Sequence, residues 1–299
     1  MNSILKHLKH ELDGELHYSS MMQALYATDA SVYREFPLAV ALPKNSKDIK
    51  TLIAFANKNN IALIPRAGGT SLAGQCVGNG VVVDVSKYLN EILEINPKEK
   101  WVRVQPGVIR DALNVFLEPY GLYFGPNTST SNRCNIGGMV GNNSCGTTSI
   151  VYGSTRDHVL ELKTILSDGS EVVFNKLSAS AIEEKQKGDS LESSLYRHID
   201  EILNDETNQK NIKEHFPKTS VTRRNTGYAL DALLKAQPFK GDEDFNFCKL
   251  LCGSEGTLAF TTEIKLGLVD LPKPHDVVVA VHCKSIEESM KATVVAMQQ

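Results

Sequence analysis

Ile64-Pro65-Arg66-Ala67-Gly68-Gly69-Thr70-Ser71-Leu72-Ala73-Gly74 lies between two apolar β-like runs, Ile61 to Ile64 before it and Val81 to Val85 after it. No helical pattern follows the glycines. A loop of this kind can turn several backbone N–H groups toward one point and cradle an anion without a helix dipole. Gly68, Gly69 and Gly74 admit positive φ and let a phosphate approach the backbone, while Thr70 and Ser71 add hydroxyl donors. The pyrophosphate of a dinucleotide is the natural guest. Taken alone the loop also reads as a plain turn. The Gly-x-Gly-x-x-Gly fingerprint, which opens a helix, is missing, as is Gly-Lys-Ser/Thr.

A second stretch of the same chemistry strengthens the ligand reading. Residues 124–146 contain Gly125, Gly137, Gly138, Gly141 and Gly146, with hydroxyl or amide side chains at most other positions. Flexible linkers lack embedded apolar anchors such as Ile136 and Met139-Val140. Long unpatterned loops in compact domains are usually functional or disordered, and the interleaved apolar residues predict an ordered loop packed on a ligand.

Composition bounds the rest. A chain of 299 residues exceeds one average domain, so more than one folding unit is expected. With 41% hydrophobic and 22% charged residues it belongs with ordinary globular proteins, and a net charge of −3 advertises no nucleic-acid surface. No apolar run reaches the length of about 18 residues that a membrane span needs. The N-terminus has no apolar core of a secretory signal, which predicts a cytoplasmic protein, at most peripheral to the inner face of the membrane. Cys76, Cys134, Cys145, Cys248, Cys252 and Cys283 form no Cys-x-x-Cys pair, and no His-x-x-x-His pair exists, so no metal site is expected.

The pattern predicts an α+β protein. Residues 1–34 read as an N-terminal helical arm outside the core, with a turn-rich stretch from Tyr26 to Tyr33. A small α/β lobe spans about 35–88: a strand between Pro37 and Pro43, a helix capped by Ser46 with Ile49, Leu52, Ile53 and Ala56 on one face, then strand, glycine loop, strand. A larger mixed-sheet lobe spans about 89–270. It begins with a hairpin, Glu91–Ile95 and Trp101–Gln105, and continues with a helix over 111–117 that presents Ala112, Val115 and Phe116 on one face and stops at Gly121. Asp168-Gly169 joins two strands as a hairpin. Residues 178–215 read as an exposed, charged helical insertion, and Leu250-Leu251 and Thr257–Val269 return to β pattern. A last strand, Asp276–Cys283, and a helix from Ser285 to Gln299 follow Pro272 and Pro274. A strand and a helix cannot bury their apolar faces alone, so 271–299 reads as the start of a further, truncated domain.

The loops resemble those of the flavoprotein superfamily of vanillyl-alcohol oxidase and para-cresol methylhydroxylase, and within it the bacterial D-lactate and glycolate dehydrogenase branch. The pieces that carry the resemblance are Pro65–Gln75, Asn135–Gly146, Tyr152-Gly153 with Asp157–Leu162, and Gly253–Thr257. It covers about residues 25–270 and implies a two-lobed FAD-binding domain followed by a cap domain. It implies FAD contacts from Pro65, Arg66, Ala67, Gly68, Gly69, Thr70, Ser71 and Gln75 in the first loop. Pro126, Ser129, Thr130, Gly137, Gly138, Asn142, Ser144 and Gly146 take that role in the second loop, which passes near the isoalloxazine ring. Gly153, Val159, Glu255, Gly256 and Leu258 complete the set.

Relatives with tethered FAD often carry His where this chain has Thr70, so the resemblance implies non-covalent FAD and leans toward a dehydrogenase. It implies hydride transfer from the α-carbon of a D-2-hydroxy acid (D-lactate, glycolate or D-2-hydroxyglutarate) to flavin N5. A quinone, cytochrome or iron–sulfur module outside this chain would take the electrons. The substrate arginine, the catalytic base and any metal of the family lie in the cap domain, so no catalytic residue is assigned. The alternative is an FAD-binding electron-transfer subunit without its own substrate site. Arg223-Arg224-Asn225-Thr226-Gly227-Tyr228 reads either as a positive wall near flavin or acidic substrate, or as a solvated helix start with a surface ion pair. Tyr228 packs on flavin or on core.

Overall fold

A computed structural model describes residues 2–298 apart from 219, 222, 226 and 274–276. The first lobe runs α1 (Asn2–Glu11), β1 (Glu15–His17), α2 (Ser20–Leu25), β2 (Ala39–Leu42), α3 (Ser46–Asn59), β3 (Leu63–Arg66) and β4 (Val81–Asp84). Its sheet has the order β1-β2-β4-β3, with β1 antiparallel to β2 and the other pairs parallel. β2 and β4 are buried along their whole length, which is why both read as unbroken apolar runs rather than alternating ones. Ile49, Leu52, Ile53 and Ala56 form the buried face of α3 as expected. The cap, however, is Asn45, whose side chain accepts from the Asp48 N–H at 3.0 Å.

The N-terminal segment is not peripheral. Leu5, Leu8, Leu12 and Leu16 are buried in the same core as Ala39, Ile49, Leu52 and Val81, which corrects the expectation of an arm outside it. Three leucines three or four residues apart make an apolar stripe even on a largely polar helix, and α1 lays that stripe against α3. The turn after α1 is held by the buried Asp48 carboxylate, which accepts from the backbone N–H groups of Asp13 (2.8 Å), Gly14 (3.0 Å) and Lys44 (2.8 Å).

The second lobe begins with β5 (Ile92–Asn96), β6 (Trp101–Val104), α4 (Arg110–Leu117), β7 (Leu122–Tyr123), α5 (Ile136–Asn142), α6 (Ser149–Tyr152), α7 (Thr155–His158), β8 (Val159–Ile165), β9 (Glu171–Phe174) and β10 (Lys176–Leu177). It continues with α8 (Ala179–Lys185), α9 (Leu191–Asn204), α10 (Glu206–His215), α11 (Leu230–Leu233), β11 (Phe245–Asn246), α12 (Cys248–Leu251), β12 (Phe260–Gly267) and β13 (Val269–Asp270). Its main sheet, β5-β6-β12-β8-β9, is antiparallel throughout, and both expected hairpins are present.

Three expectations change here. The buried face of α4 is Leu113 and Leu117, one turn apart, whereas Val115 is 69% exposed. The 178–215 segment is amphipathic rather than wholly exposed: Ile182, Tyr196, Ile199, Leu203 and Ile212 enter the core, where Tyr196 packs with Phe174, Phe245 and Phe247. Leu250-Leu251 closes the helical turn α12 instead of forming a strand.

Ile165 of β8 and Phe260 of β12 join the first lobe's core, so the lobes share apolar contact. At the end of the chain, Val277, Val278, Val279 and Val281 are exposed and take part in no strand among the described residues, unlike the strand expected there. A strand persists only where a neighbour satisfies its backbone polar groups. α13 (Ile286–Ala296) does form, capped by Ser285. Pro274 and Asp276, on which the boundary and strand expectations partly fall, and Gln299, where the last helix was expected to end, lie outside the described residues, as does Thr226 of the arginine cluster.

Candidate functional site

The first glycine loop is the connection from β3 to the adjacent parallel strand β4, so it leaves the carboxyl end of a parallel sheet, where open α/β sheets bind ligands. Gly69 (φ 61°) and Gly74 (φ 77°) use the left-handed region, while Gly68 does different work. A Cβ on Gly68 would lie 2.7 Å from the Arg133 carbonyl oxygen, so Gly68 lets the two glycine-rich segments touch. Arg66, the last residue of β3, stacks over the Tyr26 ring at 5.0 Å and donates from Nη1 to the Thr28 carbonyl at 2.9 Å. Burial, followed by the Asp84 carboxylate that its hydroxyl donates to at 2.7 Å, pushes the Tyr26 phenol well above its usual range. Tyr26 is therefore a fixed neutral platform under the loop.

The second stretch is ordered by α4. The buried Arg110 donates from Nε to the Pro126 carbonyl (3.1 Å) and from Nη2 to the Phe124 carbonyl (3.2 Å) and the Tyr123 hydroxyl (2.6 Å). Asp111 accepts from the Ser131 hydroxyl at 2.9 Å. Part of the stretch is helical, which its glycine content hides: Ile136, Met139 and Val140 bury one side of α5 and leave Gly137, Gly138 and Gly141 facing away from the core. The Gly253–Thr257 turn is tied to that helix by the Gly253 N–H to the Val140 carbonyl (3.0 Å) and the Glu255 N–H to the Gly141 carbonyl (2.9 Å). Across from it, Gln75 Nε2 donates to Glu255 Oε1 at 3.1 Å, a link between residues 180 apart in sequence.

These three segments enclose one cleft of about 970 Å3 between the lobes. Gly69 and Gly138 share it, and a Cβ on Gly138 would lie 3.2 Å from the Ala67 Cβ. Of the expected residues, Pro65, Arg66, Ala67, Gly68, Gly69, Thr70, Ser71 and Gln75 line it, with Ser129, Thr130, Gly137, Gly138, Asn142, Ser144, Glu255 and Gly256. Five others sit elsewhere. Pro126 packs over Arg110, Gly146 folds back on the Asn127 carbonyl, and Gly153 turns the chain before α7. Val159 lies in the second core, and Leu258 is partly exposed beside the turn.

Sequence reasoning missed Asp29, Arg133, Asn135 and Phe260, which also line the cleft. Arg133 and Asn135 lie within the second glycine-rich stretch but carry no local sign of their role, whereas Asp29 and Phe260 are brought in by folding alone. Burial pushes the Cys76 thiol in the cleft wall up to about 11, so it stays a neutral thiol at physiological pH. The Tyr228 hydroxyl pairs with the Thr257 hydroxyl at 2.7 Å, and its exposure keeps it out of the core.

The donor set fits a dinucleotide. Ser71 Oγ and Asn135 Oδ1 are buried at the cleft with no hydrogen-bond partner in the chain, the condition expected of groups shaped to meet a ligand. Around them stand neutral hydroxyls and amides, from Thr70, Ser129, Thr130, Asn142 and Ser144, suited to a polyhydroxylated chain and a diphosphate. A cleft of this size is at the upper end for small-molecule sites, which suits a ligand as long as a dinucleotide.

Comparison with known proteins agrees. Residues 37–175 match the family model of an FAD binding domain. The chain is 37% identical over 281 residues to D-2-hydroxyglutarate dehydrogenase of Pseudomonas putida, covering 93% of this chain and 27% of that protein. It is 37% identical over 250 residues to D-2-hydroxyglutarate dehydrogenase of Escherichia coli, covering 83% of this chain and 24% of that protein. The chain thus spans about a quarter of the length of these curated relatives. Among solved structures, alkyldihydroxyacetonephosphate synthase shares the fold with a TM-score of 0.62 at 17% identity, over 91% of this chain and 44% of that one. Residues 37–175 therefore belong to an FAD binding domain, in a chain that shares its fold with alkyldihydroxyacetonephosphate synthase.

Proposed function

We propose that this chain is the flavin-binding part of an FAD-dependent dehydrogenase acting on a D-2-hydroxy acid, with D-2-hydroxyglutarate, D-lactate and glycolate as the candidate substrates. The observation that carries the reading is the cleft shared by both glycine-rich segments, lined by unpartnered buried polar atoms, in a chain 37% identical to a D-2-hydroxyglutarate dehydrogenase. When bound, FAD would supply the hydride acceptor at its N5 atom, and the protein's part is to hold and orient it. The Gly68–Ser71 backbone and the Ser71 hydroxyl would take the diphosphate. Ser129, Thr130, Asn142 and Ser144 would meet the polyhydroxylated chain. Glu255 and Gln75 would close the cleft from opposite lobes.

No histidine lines the cleft among the described residues, and Thr70 occupies the position where tethered relatives carry one. This supports non-covalent FAD. Residues 271–299 are read as the beginning of a substrate domain, with 35–270 as the flavin domain. The group that takes the hydroxyl proton, and the electron acceptor, are assigned outside this chain. The protein is placed in the cytoplasm or at the inner face of the membrane. No helix of the described residues is long and apolar enough to cross a membrane.

The test uses the full-length protein. Each acid is added anaerobically while the visible flavin band is followed, and the protein is then precipitated with acid to see whether the yellow colour stays in solution. Bleaching by at least one acid and release of free FAD are expected. A flavin that none of the three acids reduces, but that a partner protein does, overturns the dehydrogenase reading.

A further inference from the structure

Among the described residues, Arg66, Arg133 and Arg223 are the arginines that line the cleft, whereas Arg224 pairs with Asp231 and does not. Arg66 lies at the entry to the first glycine segment with its side chain turned back onto the chain. Its Nη1 donates to the Thr28 carbonyl at 2.9 Å, and its guanidinium carbon stands 5.0 Å from the centre of the Tyr26 ring. A Cβ on Gly69 would lie 2.6 Å from Nη2, so the guanidinium packs against the Gly69 backbone as well as the ring.

Tyr26 reaches both strands that bound this loop. Arg66 and Asp84 are register partners at the carboxyl ends of β3 and β4. Tyr26 meets the first with its ring and the second with its hydroxyl, at 2.7 Å. The residues after Tyr26 add further ties. The Ala30 N–H donates to the Gly69 carbonyl at 3.1 Å, and the Tyr33 ring occupies the space beside Gly74, where a Cβ would lie 2.8 Å from Cδ2. The Glu35 N–H donates to the Ala27 carbonyl at 2.9 Å, which folds the segment back on itself. All of these N-terminal residues precede 37–175, the span that matches the FAD binding domain.

A glycine-rich loop has many accessible backbone conformations, and a ligand that needs one of them bears the entropy of selecting it. Ties already made in the ligand-free protein remove that cost in advance and appear as affinity. A guanidinium over an aromatic face is such a tie, since it is attracted to the ring without a counter-ion. With Nη1 on a carbonyl and the guanidinium over a ring, the Arg66 side chain serves the shape of the loop.

We propose that Tyr26–Glu35 is a strap that sets the shape of the diphosphate cradle, with the Tyr26 ring as its positioning residue acting through Arg66. The proposal rests on the assignment of the cleft to FAD. It goes beyond that assignment by placing part of the cofactor's affinity in a segment that precedes the matched domain.

The full-length apoprotein is titrated with FAD by fluorescence for the parent, Tyr26→Phe, Tyr26→Leu, Arg66→Met and the double variant Y26L/R66M, and the melting of each apoprotein is followed separately. Y26L should weaken FAD binding about 5-fold and R66M about 20-fold. The double variant should match R66M, because the ring acts only through the guanidinium. Y26F keeps the ring and should bind FAD within about twofold of the parent, although losing the bond to Asp84 lowers the melting temperature of Y26F and Y26L alike. An additive loss of about 100-fold in the double variant overturns the proposal, since ring and guanidinium would then act independently. A Y26F affinity as low as that of Y26L also overturns it and transfers the role to the hydroxyl and Asp84. Weakened R66M beside a Y26L that matches the parent makes Arg66 a direct phosphate ligand, which overturns it too. Should Y26L fail to fold, Ala30→Pro tests the strap at a second point by deleting the N–H that holds Gly69: FAD should bind about 3-fold more weakly, and an unchanged affinity sinks the strap. A parent that takes up no FAD sinks the flavin assignment and the strap together, whereas a parent that binds FAD no better than Y26L and R66M do sinks only the strap.

Discussion

At the scale of single residues, Ser71 is informative because its hydroxyl is buried without a partner. Such a group costs the protein about 1–3 kcal/mol when nothing meets it. Ser71→Ala should therefore leave the FAD-free protein as stable as the parent or slightly more so, while weakening FAD binding about 10-fold. Thermal melts with and without FAD, beside a fluorescence titration, check the opposite signs. A variant less stable without FAD and unchanged in affinity would show that the hydroxyl serves folding instead. Residue-level chemistry was legible in the sequence to a similar depth. The small and hydroxylated residues of both segments announce a ligand wherever they fold together. Asn135 was not picked out, since a buried amide with one bonded and one unbonded end looks like any loop asparagine until its surroundings are known.

Among the elements, α3 and the turn before β1 are joined by one carboxylate. Asp48 accepts from three backbone N–H groups that no other side chain serves among the described residues. Asp48→Ala should cost about 3 kcal/mol or more, because it removes charge-assisted bonds and strands buried donors. The measurement is urea unfolding at neutral pH. A loss below about 1 kcal/mol would mean that water replaces the carboxylate. Local patterns predicted α3, both hairpins and the strands beside the first loop correctly, because their buried faces repeat at one clear period. They misjudged α4, whose apolar residues occur on both faces, and α5, whose glycines argue against a helix that tertiary contacts of Ile136, Met139 and Val140 nevertheless stabilise.

For the molecule as a whole, the N-terminal segment completes the first lobe, and its attachment should show in the acid limb of stability. Glu15 is held down to about 2, first by Lys87, then by the hydroxyl of Tyr88 and by His17. A carboxyl depressed on folding contributes stability that is present above its unfolded value, near 4.5, and lost as pH falls toward 2. Glu15→Gln should thus flatten the fall of the melting temperature between neutral and acid pH, more visibly at low salt because the pair is partly solvent-exposed. Parallel curves for parent and variant would rule the cluster out as a contributor.

The amino-acid sequence by itself determined that two bend-permitting, hydroxyl-rich segments exist and that they flank β strands of a mixed fold. These follow from residue type and short-range spacing, which the chain carries locally. Only the tertiary structure decided that Gly69 and Gly138 face one cleft, that α1 enters the core, and that Arg223 rather than Arg224 reaches the cleft wall. Those facts depend on contacts between residues far apart in sequence. Such contacts form only when apolar faces are buried against each other; the leucine stripe of α1 is a local pattern, but which surface it meets is not.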